Sequence, residues 1–371
     1  MKEEQTSRPW ISGGLLIRLL AVAVTLGMVF GTGGWRAQAA GSASAGQSGQ
    51  AASGGRTVIP IGRAVGIKLF SDGVMVVGLS EVETQGGSES PARQCGLQEG
   101  DIITHINNTE VDSIEEVQTV LQDLSGATMS IRAVRGEKQV QMTAQAVQCS
   151  ADGAYKLGAW IRDSMAGIGT VTFYDPDTGV FGALGHGIND VDTTLLMPLQ
   201  SGSIMYAEVT DVKRGQSGAP GELHGTFQVS QDMGSLYANT DSGVFGMLSD
   251  KGLVQGQPVA VADRSEVTVG DAVILSNIAG DQVEEYQVEI VRVYPESAGD
   301  TRNMMIKVTD QRLLAATGGI VQGMSGSPIL QNGKLIGAVT HVLINDPTQG
   351  YGILAENMLD TAQVEQAAGH V

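Results

Sequence analysis

Cysteine is almost absent from this sequence. Only Cys95 and Cys149 occur among 371 residues, with no C-x-x-C pair and no Cys/His cluster. A zinc ribbon or a multi-disulfide framework is therefore excluded, and the composition implies no metal. A single disulfide between the two is compatible with an exported chain. Positive charge is also scarce: 22 Lys and Arg stand against 40 Asp and Glu, a formal net charge of −18. Phosphate backbones repel such a surface, so nucleic acid is excluded as a partner class. What is plentiful is glycine, with 51 residues, about twice the usual share of roughly 7%. That favours short strands and turns over long helices. Apolar residues make up 42%, enough for a real core, and the length allows two or three domains.

The beginning of the chain argues for export. Lys2 and Arg8 form a weakly basic start; residues 19–35 carry no charge, and Ala37-Gln38-Ala39 follows. This is the layout of a signal peptide over residues 1–39. An uncleaved anchor over residues 11–30, interrupted by Arg18, is the competing reading. Either places the rest of the chain outside the cytoplasm. Residues 40–57 form a linker, because the Gly/Ser/Ala/Gln run at 41–55 cannot bury enough apolar surface to fold.

Residues 58–148 predict a small β-rich domain with one clear helix. Gly96-Leu97-Gln98-Glu99-Gly100-Asp101-Ile102-Ile103-Thr104-His105-Ile106-Asn107 resembles the G-L-x-x-G-D-x-I-x-x-[IV]-[ND] signature of bacterial PDZ domains. His105 reads as a strand residue within it. Ser113 and Glu116 make a capping box. Ile114, Val117, Val120, Leu121 and Leu124 then share one helical face, closed by Gly126. PDZ domains take a peptide as an added strand beside this helix. By that resemblance Val65, Gly66, Ile67, Lys68 and Leu69 are the receiving loop and strand. A PDZ domain with a purely structural role is the alternative.

Residues 149–371 read as all-β, and one stretch in them carries the chemistry. Gly323-Met324-Ser325-Gly326-Ser327-Pro328 is followed by Ile329-Leu330, an Asn332-Gly333 hairpin turn and a second apolar run. It looks like the G-x-S-G-x-P loop of chymotrypsin-type serine peptidases. Flexible glycines let the amides of Gly323 and Ser325 converge on a developing oxyanion. Gly185-His186-Gly187 offers an exposed imidazole at a strand end, suited to a general base. Gly215-Gln216-Ser217-Gly218-Ala219-Pro220 repeats the serine pattern without the hairpin and reads as a plain loop.

Two carboxylates compete for the role of acid. Asp310 ends a strand 15 residues before Ser325. Asp250 aligns with His186 when residues 177–184 are matched to their echo at 241–248, one hairpin being expected in each half of a double barrel. His341, one strand beyond Ser325, is a rival base. His224 and His370 look incidental.

Together, the export signal, the PDZ signature, Gly185-His186-Gly187-Ile188-Asn189-Asp190 and the Ser325 loop with its Gly337-Ala338-Val339-Thr340-His341-Val342 continuation closely resemble the stage IV sporulation protein B (SpoIVB) serine peptidases of endospore-forming Firmicutes. The resemblance implies a mainly β fold, a PDZ domain followed by a chymotrypsin-like double β-barrel serine peptidase domain. It implies a catalytic His186, Asp310 and Ser325, with no cofactor. It also implies a life history. The family is exported across the forespore membrane into the intermembrane space and cleaves itself. It then cleaves a membrane-bound regulator of an intramembrane protease, which triggers processing of pro-sigma-K. The competing function is a non-catalytic PDZ adaptor or sensor on a degenerate peptidase barrel.

Overall fold

The computed structural model describes residues 55–294 and 301–368. The expected leader at 1–39, nearly all of the linker at 40–57, and His370 lie outside the described residues. No helix among those described is long and apolar enough to cross a membrane.

Alternating apolar residues punctuated by glycine produce strands almost everywhere, and the first is the longest. β1 (Thr57–Leu79) has 23 residues, a span of roughly 75 Å at about 3.3 Å per residue. That is too long for one small domain. It shifts register between Phe70 and Met75, where Gly73 adopts a φ of 82° that few L-residues tolerate.

Beyond that bend, Val74 and Val76 enter the PDZ core. The rest of the module is α1 (Pro91–Cys95), β2 (Ile102–Ile106), α2 (Ile114–Leu124), β3 (Thr128–Arg135) and β4 (Lys138–Gln145). The capping box forms as expected: Ser113 accepts from Glu116 N while Glu116 reaches back to the Ser113 backbone. Val117 and Leu121 then pack on Ile103, Ile106, Met129 and Ile131. The signature aspartate has a structural task. Asp101 is fully buried and accepts from Arg135 Nε (2.6 Å), Arg135 Nη2 (2.7 Å) and Gln98 N (2.9 Å), as a buried charge requires. Cys95 and Cys149 are both free thiols.

The same core takes in residues from beyond position 148. Leu157 is buried in it, and Tyr155, Ala159 and Ile161 pack against it. They lead into β5 (Ala159–Tyr174), whose first residues pair with the PDZ end of β1, Ala159 opposite Leu79 and Arg162 opposite Met75. This segment also runs along α2. Tyr155 N donates to Gln122 Oε1 (3.3 Å), and Ile114 N donates to Asp163 Oδ2 (2.9 Å).

β5 continues into a first barrel with β6 (Val180–Ala183), β7 (Ser201–Lys213), β8 (Glu222–Thr240) and β9 (Gly243–Leu248). The order is β5-β6-β9-β8-β7-β1, and β1 pairs with β5 again, so the six strands close on themselves. The two echoing octapeptides become β6 and β9. They do not divide between two barrels but lie antiparallel in this one, Phe181 opposite Gly246 and Gly182 opposite Phe245. Phe181 covers Gly246, where a Cβ would come within 2.6 Å of its ring, whereas Gly182 is covered by Phe173 of β5, 2.5 Å from where its Cβ would lie.

The second barrel closes in the order β10-β11-β12-β15-β14-β13. Its strands are β10 (Gly270–Ala279), β11 (Gln282–Val293), β12 (Met304–Val308), β13 (Pro328–Gln331), β14 (Lys334–Leu343) and β15 (Asp346–Leu354). α3 (Gln311–Thr317) follows β12. The C-terminal α4 (Ala355–Ala367) buries Met358, Leu359 and Ala362 against Phe173 and Phe245 of the first barrel and Ala338 and Ile353 of the second. The fold is mainly β, a PDZ module joined to a double barrel, as the sequence predicts.

The domain boundary differs from the expected one at 148/149, because β1 and β5 both cross between the module and the barrel. The expected peptide-receiving strand is also corrected. Val65 pairs with Gly169 on one side and Tyr206 on the other, and Leu69 with Met165 and Gly202. Val65, Gly66, Ile67, Lys68 and Leu69 form a wall of the first barrel, with neither edge free to accept a further strand. Leu69 is fully buried against Met75 and Met197. Leu69→Ala should therefore cost about 2–5 kcal/mol of stability, read as a lower urea midpoint. An unchanged midpoint would return residues 65–69 to a groove.

Candidate active site

The Ser325 loop sits between the barrels, held from both sides. Gly323 and Gly326 each have a φ of 97°, and a Cβ at Gly326 would overlap the Thr170 carbonyl. From β5, Thr170 N donates to Ser325 O (3.1 Å), and Thr170 Oγ1 donates to Gly323 O (2.8 Å). From the second barrel, Gly326 N donates to Val339 O (2.7 Å). Below the loop, Met324 and Ser327 are fully buried, and Ser327 Oγ meets Ser276 Oγ at 3.1 Å. The Asn332-Gly333 turn behind it forms with φ of 52° and 75°, the left-handed pair a two-residue hairpin demands. Ser325 is thus fixed at the seam. Its Oγ donates to Thr340 O at 2.7 Å. The amides of Gly323 and Ser325 donate to no protein acceptor among the described residues.

His186 reaches the same seam from the first barrel. After β6 the chain turns sharply at Leu184 (φ 67°) and Gly185 (φ 70°). Gly185 packs on the second barrel; a Cβ there would lie 2.9 Å from Ile353 Cγ2 and 3.0 Å from Thr340 Cγ2. His186 Nδ1 lies 2.8 Å from Gly187 O. With the proton on Nδ1, that bond leaves Nε2 with a lone pair, the tautomer a general base needs. Burial pushes the imidazole below its ordinary value of 6.5.

The segment after His186 is stapled by a residue that sequence reading missed. Asn239, at the end of β8, accepts from Ile188 N (2.8 Å) and donates to Ile188 O (3.0 Å) and Met197 O (2.9 Å). An asparagine near the end of a strand carried no signal of this task.

The expected acid is not at the site. Asp310 caps α3, accepting from Arg312 N (2.8 Å) and Gln287 N (3.3 Å), and it pairs with Arg312 Nη2 at 2.9 Å. The guanidinium holds its carboxyl down at about 2. Asp250 caps a single 3₁₀ turn by accepting from Gly252 N. What the structure brings to His186 instead is His341 of β14, its ring centroid 5.2 Å away at a tilt of 40°. Ser217 is elsewhere: its Oγ donates to Asn345 O (2.8 Å). The chain after it buttresses the catalytic loop, with Leu223 N donating to Gln322 O and Gln322 N to Gly221 O, both at 2.9 Å.

Residues 153–359 match the family described as SpoIVB peptidase S55, and residues 84–135 match the PDZ domain. Among curated relatives, the zinc metalloprotease RasP of Shouchella clausii is 41% identical over 58 residues, 16% of this chain and 14% of that protein. Serine protease HTRA2, mitochondrial, of Drosophila sechellia is 46% identical over 54 residues, 15% of this chain and 13% of that protein. The chain spans only a small part of either relative's length. Among solved structures, the HtrA-type protease AlgW with decapeptide is 10% identical, covering 84% of this chain and 66% of its own, with a TM-score of 0.34. The active form of the Rv3671c protease from M. tuberculosis is 15% identical, covering 67% and 84%, with a TM-score of 0.30.

Asp310→Ala separates a cap from a triad acid. Loss of the cap should cost about 0.5–2 kcal/mol. Because the carboxyl is held at about 2 in the fold, below its ordinary value, its contribution is complete at neutral pH and is lost as pH falls from near 4 toward 2. Labelling of Ser325 by a fluorophosphonate should stay within about tenfold of wild type, whereas disabling a triad acid lowers the rate by about 10⁴-fold.

Proposed function

This chain belongs to the SpoIVB peptidase S55 family, and from that footing we propose that it is an exported serine endopeptidase of endospore formation. The observation that carries the reading is the meeting of Ser325 and His186 at one seam, each delivered by a different barrel. His186 Nε2 takes the proton of Ser325 Oγ as the oxygen attacks a peptide carbonyl. The hydroxyl must first swing off Thr340 O. The amides of Gly323 and Ser325 receive the oxyanion, each donor worth roughly 3–4 kcal/mol by the cost of removing one. His186 then returns its proton to the leaving amine.

The substrates are proteins or peptides. They include the chain itself, cut within or near residues 41–55, and a membrane-bound regulator whose cleavage releases the intramembrane processing of pro-sigma-K. The site of action is the space between the forespore membranes. A long Gly/Ser run tethered to a peptidase presents itself at high effective concentration, which favours self-cleavage.

One observation favours the competing reading of a non-catalytic PDZ adaptor: Ser325 Oγ is bonded to Thr340 O and not to His186. A fluorophosphonate distinguishes the two. It should label Ser325. Ser325→Ala should lower self-cleavage by about 10³–10⁶-fold, and Ser217→Ala only a few-fold. N-terminal sequencing of the active product should find a new terminus at or near 41–55. An unlabelled protein with a fully active Ser325→Ala variant would sink the peptidase reading.

The pH profile is a separate check. A base pushed below 6.5 by burial is neutral, and so competent, at lower pH than a free histidine. The acid limb of kcat/KM should therefore fall below 6.5. A limb above 7 would contradict the buried environment of His186.

A further inference from the structure

Two imidazoles share the seam, and among the described residues no carboxylate hydrogen-bonds either. His341 follows Thr340, the residue whose carbonyl holds Ser325 Oγ. Its ring lies 5.2 Å from that of His186. Its Nδ1 is buried and has no hydrogen-bond partner among the described residues. In native proteins an orphaned buried nitrogen calls for an explanation, and a role in the reaction is one.

The charged and titratable groups around the pair are accounted for. Arg302 lies close enough to His341 to oppose its charging, and its guanidinium sits 5.3 Å over the Tyr351 ring. Asp190, the buried carboxylate in the segment after His186, is committed to Arg162 and to the amides of Asp192 and Thr193. Asp241, in the turn between β8 and β9, is exposed. Asp310 and Asp250 cap helical turns. None of these carboxylates hydrogen-bonds either imidazole among the described residues.

The geometry points to His341 as the positioning residue for His186: its ring packs beside an imidazole whose Nδ1–H is held by Gly187 O, in a site where no carboxylate among the described residues bonds the base. This deepens the serine-peptidase reading and rests on it. As Ser325 attacks, its proton passes to His186 Nε2, while the proton on Nδ1 stays bonded to Gly187 O. A buried imidazolium results. A carboxylate would answer it with a full charge. A neutral His341 answers with its π face and its free Nδ1 lone pair. It must be uncharged to do so, and burial, His186 and Arg302 together push it down to about 3. A base without a carboxylate partner binds its proton less tightly. It remains neutral in mildly acidic surroundings, where a carboxylate-backed histidine would be charged and idle.

The test needs no knowledge of the natural substrate. A fluorophosphonate phosphonylates Ser325: the Oγ–P bond forms, fluoride leaves and the serine proton passes to His186. Its maximal rate and its half-saturation concentration are measured from pH 4 to 8 on the full chain. His341→Phe keeps the ring and removes the lone pair. The maximal rate should fall about 10–100-fold, the range of a partner acting through another residue, with half-saturation within about twofold and the acid limb moved to lower pH. His341→Gln, which restores an acceptor, should recover at least part of the rate. His341→Asp should move the acid limb upward.

A His341→Phe variant with wild-type rate and an unmoved limb overturns the proposal. If that variant fails to fold, imidazole ¹⁵N NMR of the wild-type chain decides. The proposal requires His341 to stay neutral while His186 titrates, and a His341 that charges first overturns it. A Ser325→Ala variant that still reacts is a different failure, because it removes the serine-peptidase reading itself.

Discussion

The chemistry of this molecule depends on the contact between Gly326 and Thr170. The Ser325 loop belongs to the second barrel by sequence, yet the first barrel holds it, through two hydrogen bonds from Thr170 and a backbone approach that leaves no space for a Cβ. A catalytic hydroxyl must be placed to within about 0.5 Å. Two barrels cannot meet that tolerance by surface packing alone. Here one strand of the first barrel locks the loop, and β14 holds its other side through Val339. His186 arrives across the same joint, with Gly185 seated on Thr340 and Ile353. The barrel interface therefore assembles the site rather than merely bordering it.

Burial at this joint sets the electrostatics. Both imidazoles are half-buried, and desolvation is the first cause of the downward shift in each. A carboxylate in hydrogen-bond contact would pull His186 the other way, and none is present among the described residues. In the proposed mechanism His186 is a base that stays neutral at lower pH than a free histidine, and its charged form is stabilised by neutral groups. Peptide dipoles suit that task, because they are already oriented when the charge appears. Gly187 O is one such group. In the proposed mechanism the amides of Gly323 and Ser325, which donate to no protein acceptor among the described residues, receive the opposite charge on the substrate.

How far the sequence revealed this depended on whether the signal was local. The Ser325 loop and its Asn332-Gly333 turn were legible because glycine, serine and proline constrain their own backbone. The sharp turn at Leu184 and Gly185 just before His186 was legible in the same way. Asp310 was misread although a better signal lay beside it. An aspartate followed by Gln311-Arg312-Leu313-Leu314 and closed by Gly318 is a helix start and stop, and that is what the residue does. The strand at residues 65–69 could not be read correctly at all. Its alternation suits a barrel wall and a PDZ groove equally, and only its two distant partners, at 165–169 and 202–206, decide between them. The place of Asn239 and the meeting of His341 with His186 are likewise long-range facts.

The two strands that cross from the PDZ module bear on how the protein can be divided. β5 begins in the PDZ core, packed through Ala159 and Ile161, and eleven residues after Ala159 it donates from Thr170 to the catalytic loop. β1 runs the opposite way beside it, joined over almost its whole length. A ladder of backbone hydrogen bonds transmits displacement along a strand far better than a flexible linker does. A PDZ module attached by such a linker could change its orientation without consequence for the barrel. This one cannot tilt without shearing the ladder that runs through Thr170 to Tyr174. Cutting the chain near residue 148 would also strip Leu157 from the PDZ core and leave the last residues of β1 unpaired. The module and the peptidase are distinct in sequence signature, but one strand, β5, is shared by both, and farther along it Thr170 holds Ser325.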